Sequence, residues 1–186
     1  MSLPALIYAD PPWRFETYGP TGKAKAPDAH YTCMTLADIK ALKPAAASNA
    51  VLAMWAYDPM LPEALALGEA WGFRYVTVGL RWLKTTSDLD LFNYASRPMG
   101  LGYYTRGASE ELLLFKRGKG LPVRDKGIRK ELFAKRREHS RKPDEVRDIL
   151  VRLFGDVPRL EMFARSTAPG WQSHGNEADK VTGVRT

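Results

Sequence analysis

At 186 residues the chain can build one well-cored domain but not two of ordinary size, and nowhere does it hold the roughly 20 consecutive apolar residues of a membrane span. The lone Cys33 and three scattered histidines exclude a disulfide framework and make a metal site unexpected, while a start without basic residues argues against a secretory signal and for a cytoplasmic location. The net charge of +7 is local, because residues 116–142 hold twelve Lys and Arg against Asp125, Glu131 and Glu138, so that segment carries +9 and the rest −2; this points to nucleic acid more than to a small metabolite or a merely solvated face.

Chain order predicts a strand over 5–9, then a polar, Gly-rich loop over 14–31. A helix follows over 36–42 with Thr35 as N-cap and Asp38 completing a variant capping box. The apolar run 50–55 reads as a strand covered on both faces. Asp58 and Pro59 open a helix that Gly72 closes. Residues 74–84, rich in β-branched and aromatic side chains, predict a strand, and 85–105 a second long loop of the kind that usually serves function. A strand over 111–116 leads into the basic segment. From Pro143, the spacing of Val146, Ile149, Leu150 and Leu153 predicts an amphipathic helix ended by Gly155, and 159–163 a last buried strand before a Gly-rich tail. Strands alternating with helices imply an α/β fold with a mostly parallel sheet in a single domain.

The most informative residues are Asp10-Pro11-Pro12-Trp13, directly after the first strand. That strand delivers the Asp10 carboxylate to its C-terminal end, where open α/β sheets bind ligands. Proline fixes φ and lacks an N–H, so the carbonyls beside Pro11 and Pro12 are expected to lack strand partners and to face a ligand. A carboxylate and a carbonyl suit an –NH2 group bringing two hydrogens, and Trp13 offers a face to a planar heterocycle. The tetrapeptide reads as a receptor for a nucleobase amine, against the plainer alternative of a turn-closing Asp with Trp13 in the core.

With Tyr31-Thr32-Cys33-Met34, Met54-Trp55, Trp82-Leu83-Lys84-Thr85, Glu110-Glu111-Leu112, the helix start Ser140-Arg141-Lys142-Pro143-Asp144-Glu145, Leu160-Glu161-Met162-Phe163-Ala164-Arg165 and Gly175-Asn176-Glu177 in that order, the chain resembles the METTL-like (MTA-type) adenine methyltransferases over roughly residues 6–177. The resemblance implies a Rossmann-like methyltransferase sheet in permuted order, catalytic strand first and cofactor strand last. It implies transfer from S-adenosylmethionine to the exocyclic amine of adenine in DNA or RNA, leaving S-adenosylhomocysteine, with no metal. Acceptors at Asp10 and a proline carbonyl would hold the amine hydrogens so that the nitrogen lone pair points at the donor methyl; the rest is positioning. Lys142, at a helix N-terminus, would meet the methionyl carboxylate with Ser140 adding a hydroxyl, and Asp10 the methionyl ammonium. Glu161, Phe163 and Arg165 would lie beside the nucleoside, and Asn176 and Glu177 reach its ribose and adenine.

The target base must be single-stranded or flipped out. Trp13 is the expected stacking partner, with Tyr31, Trp55, Tyr103 and Tyr104 at the mouth; Lys84 and Arg106 would meet phosphate or pair with a nearby carboxylate. Glu177 stands where the family often has Gln, and Ser166-Thr167 replace a common pattern after Arg165, so their contacts are open. A rival expectation is a catalytically silent subunit that only binds nucleic acid or a partner. Pairing into a homodimer or hetero-oligomer is expected to use the aromatic surface around Phe92–Tyr104 or Leu132–Phe133.

Overall fold

Four consecutive apolar residues, Leu6 to Ala9, are stable only in a strand covered on both faces, and all four are buried. A computed structural model describes residues 2–13, 33–86, 104–137 and 141–175. In chain order they form β1 (Leu6–Ala9), α1 (Leu36–Ala41), β2 (Ala50–Ala56), a 3-10 turn (Asp58–Met60) running into α2 (Leu61–Ala70), β3 (Arg74–Thr85), β4 (Ser109–Arg117), β5 (Glu131–Lys135), α3 (Glu145–Phe154), β6 (Arg159–Met162) and β7 (Gln172–His174).

The strands make one sheet in the order β5-β3-β4-β2-β1-β6-β7. β1 runs parallel to both β2 and β6, β6 to β7 and β3 to β5, while β4 is antiparallel to both its neighbours. The alternation of side chains along the central strands divides the core in two. Ile7, Ala9, Leu52 and Met54 face α1 and α2, meeting Ile39, Ala64 and Leu67. Leu6, Tyr8, Ala53 and Trp55 face α3, meeting Val146, Leu150 and Phe154.

The mixed α/β sheet matches the expectation, but several details differ. Asp58 begins a 3-10 turn instead of capping an α-helix, which starts only at Leu61 with Pro62 in its first turn. Two strands lack a sequence signature: β5 is short and mixes charge with apolar residues, and β7 has no apolar residue. Both are held at sheet edges by pairing with a longer or more buried neighbour, the tertiary context overriding local propensity.

The topology also divides the basic segment. Because β4 runs against the sheet, Ser109 lies at the C-terminal ends of the other strands, whereas Lys116 and Arg117 lie opposite Val51 and Ala50 at the far end, about 27 Å away for nine residues. Lys119 and Arg124 stay at that far end, their N–H groups bonded to the Asn49 side chain and to the Leu153 carbonyl near the end of α3. β5 then climbs back, bringing Lys135 opposite Thr85. Arg117 donates to the carbonyls of Ala46, Trp71 and Gly72, and Arg137 and Arg141 to the Asp144 carboxylate. The basic segment thus divides between two ends of the sheet, with several of its cations committed internally.

Candidate active site

From β1 the chain passes to β2 on one side and returns to β6 on the other, so the crevice above the C-terminal ends of β1 and β6 is the switch point at which such sheets bind ligands. A cavity of about 230 Å³ opens there. It is lined by Asp10, Pro11 and Pro12 after β1, by Phe163, Ala164 and Arg165 after β6, by His174 and Gly175 at the end of β7, and by Met34, Leu42 and Lys142. Gly175 lets the end of β7 lie against β6: a Cβ there would come 2.6 Å from the Ala164 carbonyl oxygen. Phe163 has φ +62°, a left-handed backbone that a bulky side chain rarely adopts and that marks functional sites when it persists. Its ring stacks on buried Trp71.

The turn after β1 is rigid, but not through unpaired carbonyls. Pro11 O accepts from Trp13 N–H at 2.9 Å and Pro12 O from Met34 N–H at 3.0 Å, which pins the turn to the chain entering α1. Each oxygen keeps a second lone pair, so the expectation that these carbonyls stand free is corrected to one remaining acceptor site apiece. Trp13 is buried in the core, its indole N–H donating to the Trp55 carbonyl at 3.3 Å; the expected open stacking face lies inside the protein. Trp55 is likewise buried on the α3 side, its N–H donating to the Tyr8 hydroxyl at 2.7 Å, and not at the mouth.

Asp10 meets Lys142, whose ammonium lies 2.8 and 3.0 Å from the two carboxylate oxygens. Burial pushes the Asp10 carboxyl above its ordinary value, more than Lys142 pulls it down. Lys142 is pulled in the opposite sense: burial would lower its proton affinity, but Asp10 and Glu110 more than offset this and raise it. Its charge is therefore committed to two carboxylates of the chain, where the sequence had pointed it at a ligand carboxylate. Asp144, at the N-cap of α3, makes no side-chain capping hydrogen bond; its carboxylate gathers Arg137, Arg141 and Arg147 instead.

Glu161 is buried, and both its oxygens are held by Arg147 at 2.7 and 2.8 Å. Glu161, Arg147 and Tyr8 border a smaller hollow of about 40 Å³ that shares Asp10, Lys142, Phe163 and Arg165 with the main cavity. Lys84 bonds Glu110 at 2.5 Å. Arg106 and Tyr104 are exposed on the approach to β4, at the site end of the sheet. Tyr31, Tyr103, Ser140, Asn176 and Glu177 lie outside the described residues, as do the loop 14–31 and residues 87–103 of the second expected loop. The structure thus brings Asp10, Pro11, Pro12, Lys142, Phe163 and Arg165 together, and sets Trp13, Trp55 and Glu161 behind them. It adds His174, Arg147 and Glu110, to which the sequence reading gave no role. For Glu110 a signal existed: alternation puts it on the same strand face as buried Leu112, and a carboxylate on a buried face needs a partner.

Among the described residues no cluster of His, Cys, Asp and Glu is arranged to hold a metal ion. The profile of the MT-A70 family matches residues 4–177. The Type II methyltransferase M.MunI of Mycoplasma sp is 29% identical to this chain, over 92% of the chain and 76% of its own length. The probable N(6)-adenosine-methyltransferase MT-A70-like of Oryza sativa subsp. japonica is 29% identical over 95% of the chain but 23% of its own length, and the N(6)-adenosine-methyltransferase MT-A70-like of Arabidopsis thaliana 28% over 95% and 24%. The chain spans about a quarter of the length of these plant relatives.

Proposed function

The chain belongs to the MT-A70 family, and from that premise we propose that it is an S-adenosylmethionine-dependent methyltransferase acting on the exocyclic amine of adenine in nucleic acid to give N(6)-methyladenine. The observation that carries this reading is the Asp10 carboxylate, set by β1 into the cavity at the switch point, together with Phe163 and Arg165. The side chains fit the cofactor's chemistry: a carboxylate for its cationic groups, a guanidinium for its carboxylate, and an aromatic ring for its base. In this reading Arg165 takes over the carboxylate contact first assigned to Lys142, and β6 is the cofactor strand, the permuted order that the resemblance implied.

When bound, S-adenosylmethionine supplies an electrophilic methyl carried on a sulfonium. Asp10 accepts one hydrogen of the adenine amine at a carboxylate oxygen, and the spare lone pair of a proline carbonyl accepts the other. The nitrogen lone pair is then directed into the cavity, and most of the rate comes from this positioning. As the amine takes the methyl and the methyl–sulfur bond breaks to leave the neutral thioether, the nitrogen would acquire positive charge, which the ionised Asp10 would stabilise before taking the departing proton. Met34, Leu42 and Phe163 give the cavity an apolar wall that limits water there.

Oligonucleotides of DNA and of RNA, with adenine or with hypoxanthine in its place, test the reading directly. Hypoxanthine lacks the amine. Labelled methyl should appear only in adenine-containing strands, and the productive polymer identifies the substrate. Polynucleotide binding without label in any strand would contradict the proposal and favour a silent binding subunit.

A further inference from the structure

Glu110 takes no part in the chemistry so far, yet it is one of the few charged residues buried among those described, with 8% of its surface exposed. It is a link in a line of alternating charges. Lys142 reaches Asp10 at 2.8 Å and Glu110 at 3.1 Å, and Lys84 reaches the other oxygen of Glu110 at 2.5 Å. The outer side chains are the more open, Asp10 at 24% and Lys84 at 22%, and the inner two are nearly closed, Lys142 at 10% and Glu110 at 11%. Trp55 and Trp82 form an aromatic floor, their ring centroids 5.8 Å from the Lys142 ammonium and 5.0 Å from that of Lys84.

A buried ammonium is tolerated only while it is paired. Were Asp10 its sole partner, turning the Asp10 oxygens toward an incoming amine would strip Lys142 of compensation. A second carboxylate removes that penalty. We infer that Glu110 is a positioning residue, holding Lys142 charged and in place so that Asp10 can be shared with a ligand hydrogen, and setting the proton affinity of Asp10 through that contact. Its purpose rests on the methyl-transfer reading, whereas its electrostatics do not. Among the described residues, the charged and titratable groups facing Asp10 are Lys142 before α3, Glu110 on β4, Arg165 after β6 and Tyr8 on β1. Glu110 adds to the upward push on Asp10, and its own carboxyl is held low because Lys142 and Lys84 outweigh its burial.

Two substitutions should move Asp10 in opposite directions. Glu110→Gln removes a negative neighbour, so Asp10 should ionise at lower pH, by about one unit. Lys84→Met leaves Glu110 less compensated and Lys142 more strongly drawn to it, so Asp10 should ionise at higher pH. The readout is the carboxyl carbon resonance of Asp10, identified by its loss in Asp10→Asn and titrated in the full chain without donor or polynucleotide. Opposite shifts support the inference; unmoved midpoints, or shifts of the same sign, overturn it. Lys84 is more open than Glu110, so its arm stands even if Glu110→Gln does not fold. In transfer assays the acid limb of each variant should move with its Asp10 midpoint, and Glu110→Gln should lower kcat severalfold with donor KM within twofold. Absence of transfer by the native chain bears on the proposed function, and an unmoved Asp10 midpoint on Glu110.

Discussion

The proposed function asks Asp10 to do two things that oppose each other, to stay ionised as an acceptor and to sit where water is scarce. Burial raises its pKa, so the folded state holds the proton more tightly than the unfolded chain does. Its contribution to stability is therefore present at low pH and lost as pH rises through the folded value, and activity needs the side of that transition where the carboxylate is charged. We predict that kcat/KM falls on the acid side with a midpoint above the ordinary Asp value of about 3.9; a midpoint at or below it would remove Asp10 as the group controlling that limb. Lys142 is the counterpart. Lys142→Met leaves two carboxylates in a nearly closed site and should destabilise the fold by about 3–5 kcal/mol in urea unfolding; a loss under about 1 kcal/mol would mean the ion pairs form only weakly. The position of Asp10 at a strand end was legible because the apolar run before it and the prolines after it leave one geometry. The burial of Trp13 and Trp55 was not, since an indole's polar edge and apolar body suit a core and a mouth equally well. Only the contact made by each N–H decides between them.

The elements that carry the site are held by packing more than by local propensity. α2 lies so close to β4 that a Cβ on Gly68 would fall 2.3 Å from the Phe115 ring, which is itself fully buried. In an isolated helix, alanine is favoured over glycine by about 1 kcal/mol, but overpacking a core costs about 1–3 kcal/mol. With so short an approach the second effect wins, and Gly68→Ala should lower the melting temperature; a rise would show that α2 can move away from the sheet. Strands with continuous apolar runs, such as β2, were readable directly because a run buried on both faces has few alternatives. β5 and β7 were not, because an edge strand borrows its stability from its neighbour and carries little of the pattern itself. The start of α3 was anticipated from Pro143, but not the gathering of three arginines by Asp144, although all three lie within seven residues of it in sequence.

At the scale of the whole molecule, charge and cavity share one end of the sheet only in part. The basic segment begins at the far end of the sheet and crosses its height once along β5, leaving Lys116 and Lys119 far from the cavity and Arg136 at the cavity's end of the sheet, beside Thr85. Composition showed the excess charge but not its division, because the reversal of β4 is a property of the topology. We predict that Arg106→Glu with Arg136→Glu reduces the slope of log K against log salt for polynucleotide binding, while Lys116→Glu with Lys119→Glu leaves it unchanged; the reverse ranking would move the nucleic-acid surface to the opposite end. The proposed function makes Asp10, in the cavity at the β1/β6 crevice, the residue that holds the amine. The most direct measurement of that claim is a single-turnover assay with labelled donor and an adenine-containing strand, comparing the native chain with Asp10→Asn and analysing the nucleosides by mass spectrometry. Labelled N(6)-methyladenine from the native chain and none from Asp10→Asn is the expected result; equal label from both, or none from the native chain, would contradict it.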